Sequence, residues 1–183
     1  AQAAAMAMGR AMDDVIITAA SATAFTGETG ATSTAAQTAI AAGGAGLTIA
    51  KLRTAKQTFD LASVDPSIPR HIVVGPEQIT NLLSTTEVTS SDFNTVKALV
   101  QGEIDSFLGF KFTVSNRLAK SGNDRTCIAF AQDGITLAIG KDVSARIDER
   151  ADKSYATQVY YCQSIGATRM EEAKVLGIVC QEA

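Results

Sequence analysis

The residues able to do chemistry are few and scattered. His71 is the only histidine and follows Arg70 in a β-branched run. A histidine relay needs a serine or cysteine nucleophile and an orienting acid, and nothing near His71 supplies them, so a structural role is the economical reading. Cys127, Cys162 and Cys180 are widely spaced with no C-x-x-C pair. They read as three reduced, buried thiols, and with one histidine they do not make the clustered four-ligand set that zinc requires. Gly43, Gly44 and Gly46 precede a helix, but GGAGLTIAK fits neither the P-loop nor the dinucleotide fingerprint and reads as a flexible connection. Neighbouring carboxylates occur at Asp13-Asp14, Asp148-Glu149 and Glu171-Glu172. Adjacent strand residues point to opposite faces, so Asp148 and Glu149 cannot converge on one substrate. No nucleophile motif, acid–base pair, metal set or cofactor fingerprint emerges, and the expectation is a non-enzyme without cofactors.

One charged stretch has a different logic. In RIDERADK the signs alternate, so Arg146, Asp148, Glu149, Arg150, Asp152 and Lys153 form either a solvated face or an ion-pair seam against another copy of the chain.

The elements that would carry these residues follow from periodicity. Residues 2–22 read as a helix with Met8, Ala11, Met12, Val15, Ile16 and Ala19 on one side and Arg10 and Asp14 paired on another. Residues 25–46 are Gly, Thr, Ser and Ala with one charge, Glu28, and suggest a long loop or weak hairpin that something covers. Thr48 caps a helix to about Ala62, with Leu52, Ala55, Phe59 and Ala62 inward and Lys51, Arg53 and Lys56 outward. Residues 70–75 form a buried strand, and Pro76-Glu77 opens a short helix ending near Leu82-Leu83. Residues 84–103 are mixed, with a turn of helix after Asp92. Strands follow at 110–114 and 126–131, then a short helix or turn at 134–140, and three closing strands at 143–150, 155–165 and 174–180. The sum is an α+β fold.

Composition narrows the partners. The 183 residues carry 16 Lys+Arg against 19 Asp+Glu, net −3, which excludes a basic nucleic-acid clamp or polybasic membrane anchor. No apolar run reaches bilayer length. Hydrophobic residues are 46% but aromatics only 5%, so contacts are small and backbone-close, as in a subunit that neighbours cover. The chain opens as Ala-Gln-Ala-Ala-Ala-Met with no helix cap, and is expected to begin partway into a longer product.

The order of segments resembles the major capsid proteins of tailed bacteriophages, of the Hong Kong 97 type. MAMGRAMDDVIITAA (6–20) is similar to the end of that family's spine helix. Residues 47–83 look like its helix, proline break, Arg-headed buried strand and Pro-capped short helix. SFLGFKFTVSNRL (106–118) is similar to its Gly-aromatic strand, and 131–178 to its closing region. The short-tailed phage versions are the nearest in order. The resemblance implies a peripheral domain of about 1–46 and 139–183 around an axial domain of 47–138, with the family's N-terminal arm and extended loop absent. It also implies hexamers and pentamers of this subunit, closing into an icosahedral shell around packaged DNA without sequence-specific binding. Portal, scaffolding and decoration proteins would be partners, with the shell assembled in the host cytoplasm and no membrane involved. An encapsulin-like compartment shell and a small α+β binding or enzyme domain using His71 are the alternatives.

Overall fold

The computed structural model describes residues 2–84 and 106–182. The suggested helical turn after Asp92 lies outside the described residues. Helix α1 (Gln2–Ser21) is Ala-rich and buries mainly its second half, ending on the fully packed Ala20. Of the expected inward side, Ala11 faces solvent. Asp14 pairs with Arg117 rather than Arg10, because α1 lies beside the chain that leaves the central sheet. The low-charge stretch is a weak hairpin of β1 (Ala24–Thr26) and β2 (Thr32–Thr34). It then runs on beside the central sheet, where Ile40 bridges Ile178.

Helix α2 (Ile49–Leu61) starts as its cap dictates, with Thr48 Oγ1 accepting from the Lys51 amide at 3.3 Å. Leu52, Ala55 and Phe59 are inward, but Ala62 is exposed where the helix ends. Lys51 is buried, contrary to its expected outward place. Its ammonium donates to the carbonyls of Ala45 (2.7 Å), Gly46 (2.9 Å) and Val179 (3.0 Å). Ala45 and Gly46 belong to a loop docked on the sheet edge and Val179 to the edge strand itself, so the ammonium joins the two where water is excluded.

Strand β3 (Arg70–Val74) is followed by α3 (Pro76–Ser84), both as expected. The central sheet adds β4 (Ser106–Phe107), β5 (Phe110–Val114), β6 (Lys120–Ser121), β7 (Asp124–Ala131) and β10 (Val175–Gln181). Its order is β10-β7-β3-β5-β4, with β6 on the start of β7 and only β3–β5 parallel. Alternate residues turn one face toward α2, and Ile72, Phe110, Ala129 and Ile178 are fully buried there. Phe59 meets Phe110 with ring centroids 6.0 Å apart. Arg70 is also in this core, donating to Asp60 (2.8 Å) and the Val64 carbonyl (3.1 Å) with its guanidinium over Phe59.

The remaining strands stand outside this sheet. β8 (Ile135–Arg150) and β9 (Ala156–Arg169) form a long two-stranded antiparallel ribbon. The expected helix or turn at 134–140 is the first part of β8. Ile135, Leu137 and Ile139 carry a period-two signal that the bounding glycines obscure, and β-bulges at 139–141 and 141–144 let the strand pass Gly140 without ending. Gly134 serves close approach: a Cβ there would lie 2.9 Å from the Lys174 carbonyl oxygen. The final strand, β10, pairs with β7 in the central sheet, not with the ribbon that precedes it.

Candidate subunit interface

The six charged residues singled out by sequence all lie at the outer end of the ribbon. Arg146, Asp148, Glu149 and Arg150 are on β8, and Asp152 and Lys153 on the short 3₁₀ turn after it. All six are exposed. The connection to β9 passes through two residues with positive φ, Ser154 (53°) and Tyr155 (59°). Left-handed backbone is unusual for a residue as bulky as tyrosine and marks a tight, strained tip.

Register divides the ribbon into two faces, because opposed residues of antiparallel strands share a side. Arg146 faces Tyr160, Asp148 faces Gln158 and Arg150 faces Ala156 on the charged side. Ile147 faces Val159 and Ala145 faces Tyr161 on the other, which is largely apolar apart from Glu149 opposite Thr157. Asp148 and Glu149 therefore diverge, as strand alternation requires. The charged side holds a shallow depression of about 400 Å³ lined by Lys141, Ser144, Arg146, Asp148, Gln158 and Tyr160. Cys162 borders it, 2.9 Å from Ser144 Oγ, so it is not the buried thiol expected of it. The Ser144 hydroxyl and then the Lys141 ammonium hold this thiol below its usual pKa. Cys127 and Cys180 are buried and unbridged, and the Cys180 contact and burial push the Cys127 thiol far up.

The ribbon is rooted at one end only. Arg169, buried at the foot of β9, donates to the carbonyls of Ala20 (3.2 Å), Ala22 (2.8 Å) and Thr34 (2.9 Å), tying the end of α1 and the β1–β2 hairpin to it. Sequence reasoning missed Arg169; its only local signal is a lone charge closing an otherwise uncharged strand. Lys174 bonds Asp133 at 2.7 Å across the foot, and Arg117 grips Asp14 with a two-pronged pair. Helix α1 packs along the inner part of the ribbon, where Val15, Thr18 and Ala19 lie beside Gly166 and Ala167, whereas large apolar side chains of the outer part stay exposed. Ile147 is 68% exposed, Val159 49% and Tyr160 50%.

The charges at the tip are unevenly partnered. Arg150 bonds Asp152 through Nε at 2.9 Å, and the guanidinium holds the Asp152 carboxyl below the usual carboxylate range. Among the described residues, Arg146, Asp148, Glu149 and Lys153 make no ion pair.

The other candidates remain dispersed. His71 stacks on Phe130 with centroids 5.6 Å apart, and partial burial followed by the Lys111 charge lowers its pKa. Gly43 and Gly44 form a turn with positive φ before α2. Among the described residues no group of three or more His, Cys, Asp or Glu could hold a metal ion. No described helix is long and apolar enough to cross a membrane.

The fold is shared with solved phage structures. A chain of Mycobacterium phage Che8 superposes with a TM-score of 0.64 at 20% identity, covering 97% of this chain and 61% of that one. The capsid of cyanophage P-SCSP1u gives 0.65 at 16% identity, covering 100% and 66%. The capsid of Ralstonia phage GP4 gives 0.66 at 12% identity, covering 93% and 63%. At such identities the likeness shows the fold, which is of the Hong Kong 97 type. The sequence spans about 61–66% of the length of these chains. No curated protein matches it as a relative. The family model described as phage capsid protein matches residues 1–182, and with nearly every residue inside that match the chain belongs to this structural family.

Proposed function

We propose that the protein is a self-assembling shell subunit, forming hexamers and pentamers that close into an icosahedral capsid around packaged DNA in the virion. The observation that carries this reading is the outer half of the β8–β9 ribbon, half apolar and exposed on both faces. A two-stranded ribbon in water is marginal by itself, so this one needs neighbours to cover it. Arg146, Asp148, Glu149, Arg150, Asp152 and Lys153 would then contact adjacent subunits, where alternating signs reject wrong partners more than they add affinity. Closed symmetry multiplies each modest contact over every subunit. A net charge of −3 suits a wall that encloses DNA without gripping its sequence.

Within this reading the peripheral part comprises 1–46 and 139–183, and the axial part 47–138. The pairing of β10 with β7 supports counting the closing strand with the axial part. Portal, scaffolding and decoration proteins would join the shell as it assembles in the host cytoplasm.

Light scattering with negative-stain imaging tests the proposal. The purified protein should form shells, and Ile147→Lys should abolish them while leaving the far-ultraviolet circular dichroism of the chain unchanged. Normal shells from Ile147→Lys would remove the ribbon from the assembly interface.

A further inference from the structure

Among the described residues both outer edges of the ribbon are unpaired, and they differ in character. β9 has no charge between Ala156 and Thr168, so pairing along it would specify no register. β8 carries Arg146, Asp148 and Arg150 at every second position of its outer, bulge-free part. Charges on an edge strand ordinarily prevent pairing, unless the incoming strand presents the opposite sign at each position.

A second copy of the same strand can match Arg146 with Asp148 twice, once on each side of a two-fold axis, and leave the other charges of this part opposite neutral residues. For two β8 edges to form a continuous antiparallel sheet about a two-fold axis, each face must stay on its own side, so the axis must pass through a residue. Centring on Asp148 opposes Arg146 to Arg150 and Asp148 to itself. Centring on Glu149 opposes Glu149 to itself, and centring on Arg146 does the same for that guanidinium. Centring on Ile147 places Arg146 of each copy against Asp148 of the other, Ile147 against Ile147, Glu149 against Ala145 and Arg150 against Ser144. No like charges meet between 144 and 150. This register uses the charges left over within the chain: Arg150 is already held by Asp152, while Arg146 and Asp148 have no ion-pair partner among the described residues.

We propose that β8 pairs edge to edge with β8 of a second copy in the register centred on Ile147, converting two ribbons into one four-stranded sheet. This rests on the shell-subunit reading and deepens it by naming the contact. The apolar faces then become continuous, with Ile147 of both copies at the centre and Val159 and Tyr161 flanking.

The test is a charge swap together with a covalent probe. Arg146→Asp and Asp148→Arg should each lower the association constant about tenfold or more, and the double variant should restore it to near the parent value. Both charge-swap positions are exposed, so loss of fold is not the expected cause of any failure. Separately, Ile147→Cys in a Cys162→Ser background, exposed to oxidised glutathione, should yield a disulfide-linked dimer, since directly opposed strand residues lie within disulfide reach. Ala145→Cys in the same background should not link to itself. Shells without the linkage, or a double variant no better than the worse single, would overturn the register and leave the shell reading standing. Linked dimers without shells would support the register and overturn the shell reading. Neither product would overturn both.

Discussion

Glu182 is almost wholly buried, yet its carboxylate faces Arg125, Lys120 and the Gln78 amide. The Arg125 contact, then Lys120, hold its pKa down to about 2 against an ordinary 4.5. The folded state therefore binds fewer protons than the unfolded chain below about pH 4.5. That stabilisation is fully present above about 4.5 and is lost as pH falls toward about 2. Denaturation midpoints across that window should fall steeply for the parent and more shallowly for Glu182→Gln. Equal slopes would show that other carboxylates govern acid unfolding. Lys51 and Arg169 work by a related principle. Each carries a charge into the interior and bonds three carbonyls drawn from two segments, so removing the cation takes a donor from all of them at once.

At the scale of elements, the ribbon contrasts with the central sheet. The sheet is covered by α2 and closed by long-range pairings, whereas the ribbon has one anchored end and a strained tip. Ser154 sits at φ 53°, ψ 40°, a conformation that glycine adopts without a Cβ penalty. Ser154→Gly should therefore stabilise the hairpin by about 1 kcal/mol and raise Tm slightly. A fall in Tm would mean that the flexibility gained in the unfolded chain outweighs the strain relieved. The same element explains why a sequence reader divides β8 in two. Its bulges interrupt the alternation that announces a strand, and Gly140 resembles a terminator when pairing with β9 is unknown.

For the whole molecule, the body and the ribbon should differ in stability before assembly and converge after it. In the unassembled subunit, amides of the outer ribbon, from Ser144 to Cys162, should exchange with solvent orders of magnitude faster than those of β3 and β7. Assembly should slow the ribbon selectively, with β8 protected at its outer edge if it pairs across the two-fold axis. Hydrogen exchange read by mass spectrometry before and after assembly checks this. Uniform protection in both states would mean that the ribbon is self-sufficient and needs no neighbour.

What was legible in the sequence is what neighbours along the chain decide. The Thr48 cap, the Pro76 helix opening, the buried alternation of 70–74 and the glycine turns all rest on contacts within a few residues. The charged run from Arg146 to Lys153 was equally visible, because sign alternation needs no partner to be seen. Tertiary structure alone decided the rest, since it turns on groups far apart in sequence. Lys51 is buried because Val179, from the far end of the chain, brings a carbonyl to it. Asp14 leaves Arg10 because Arg117 arrives beside it. β10 returns to the central sheet because its backbone matches the edge of β7, and among the described residues the ribbon has no third strand. Periodicity specifies which side of an element is apolar; only packing determines what comes to cover it.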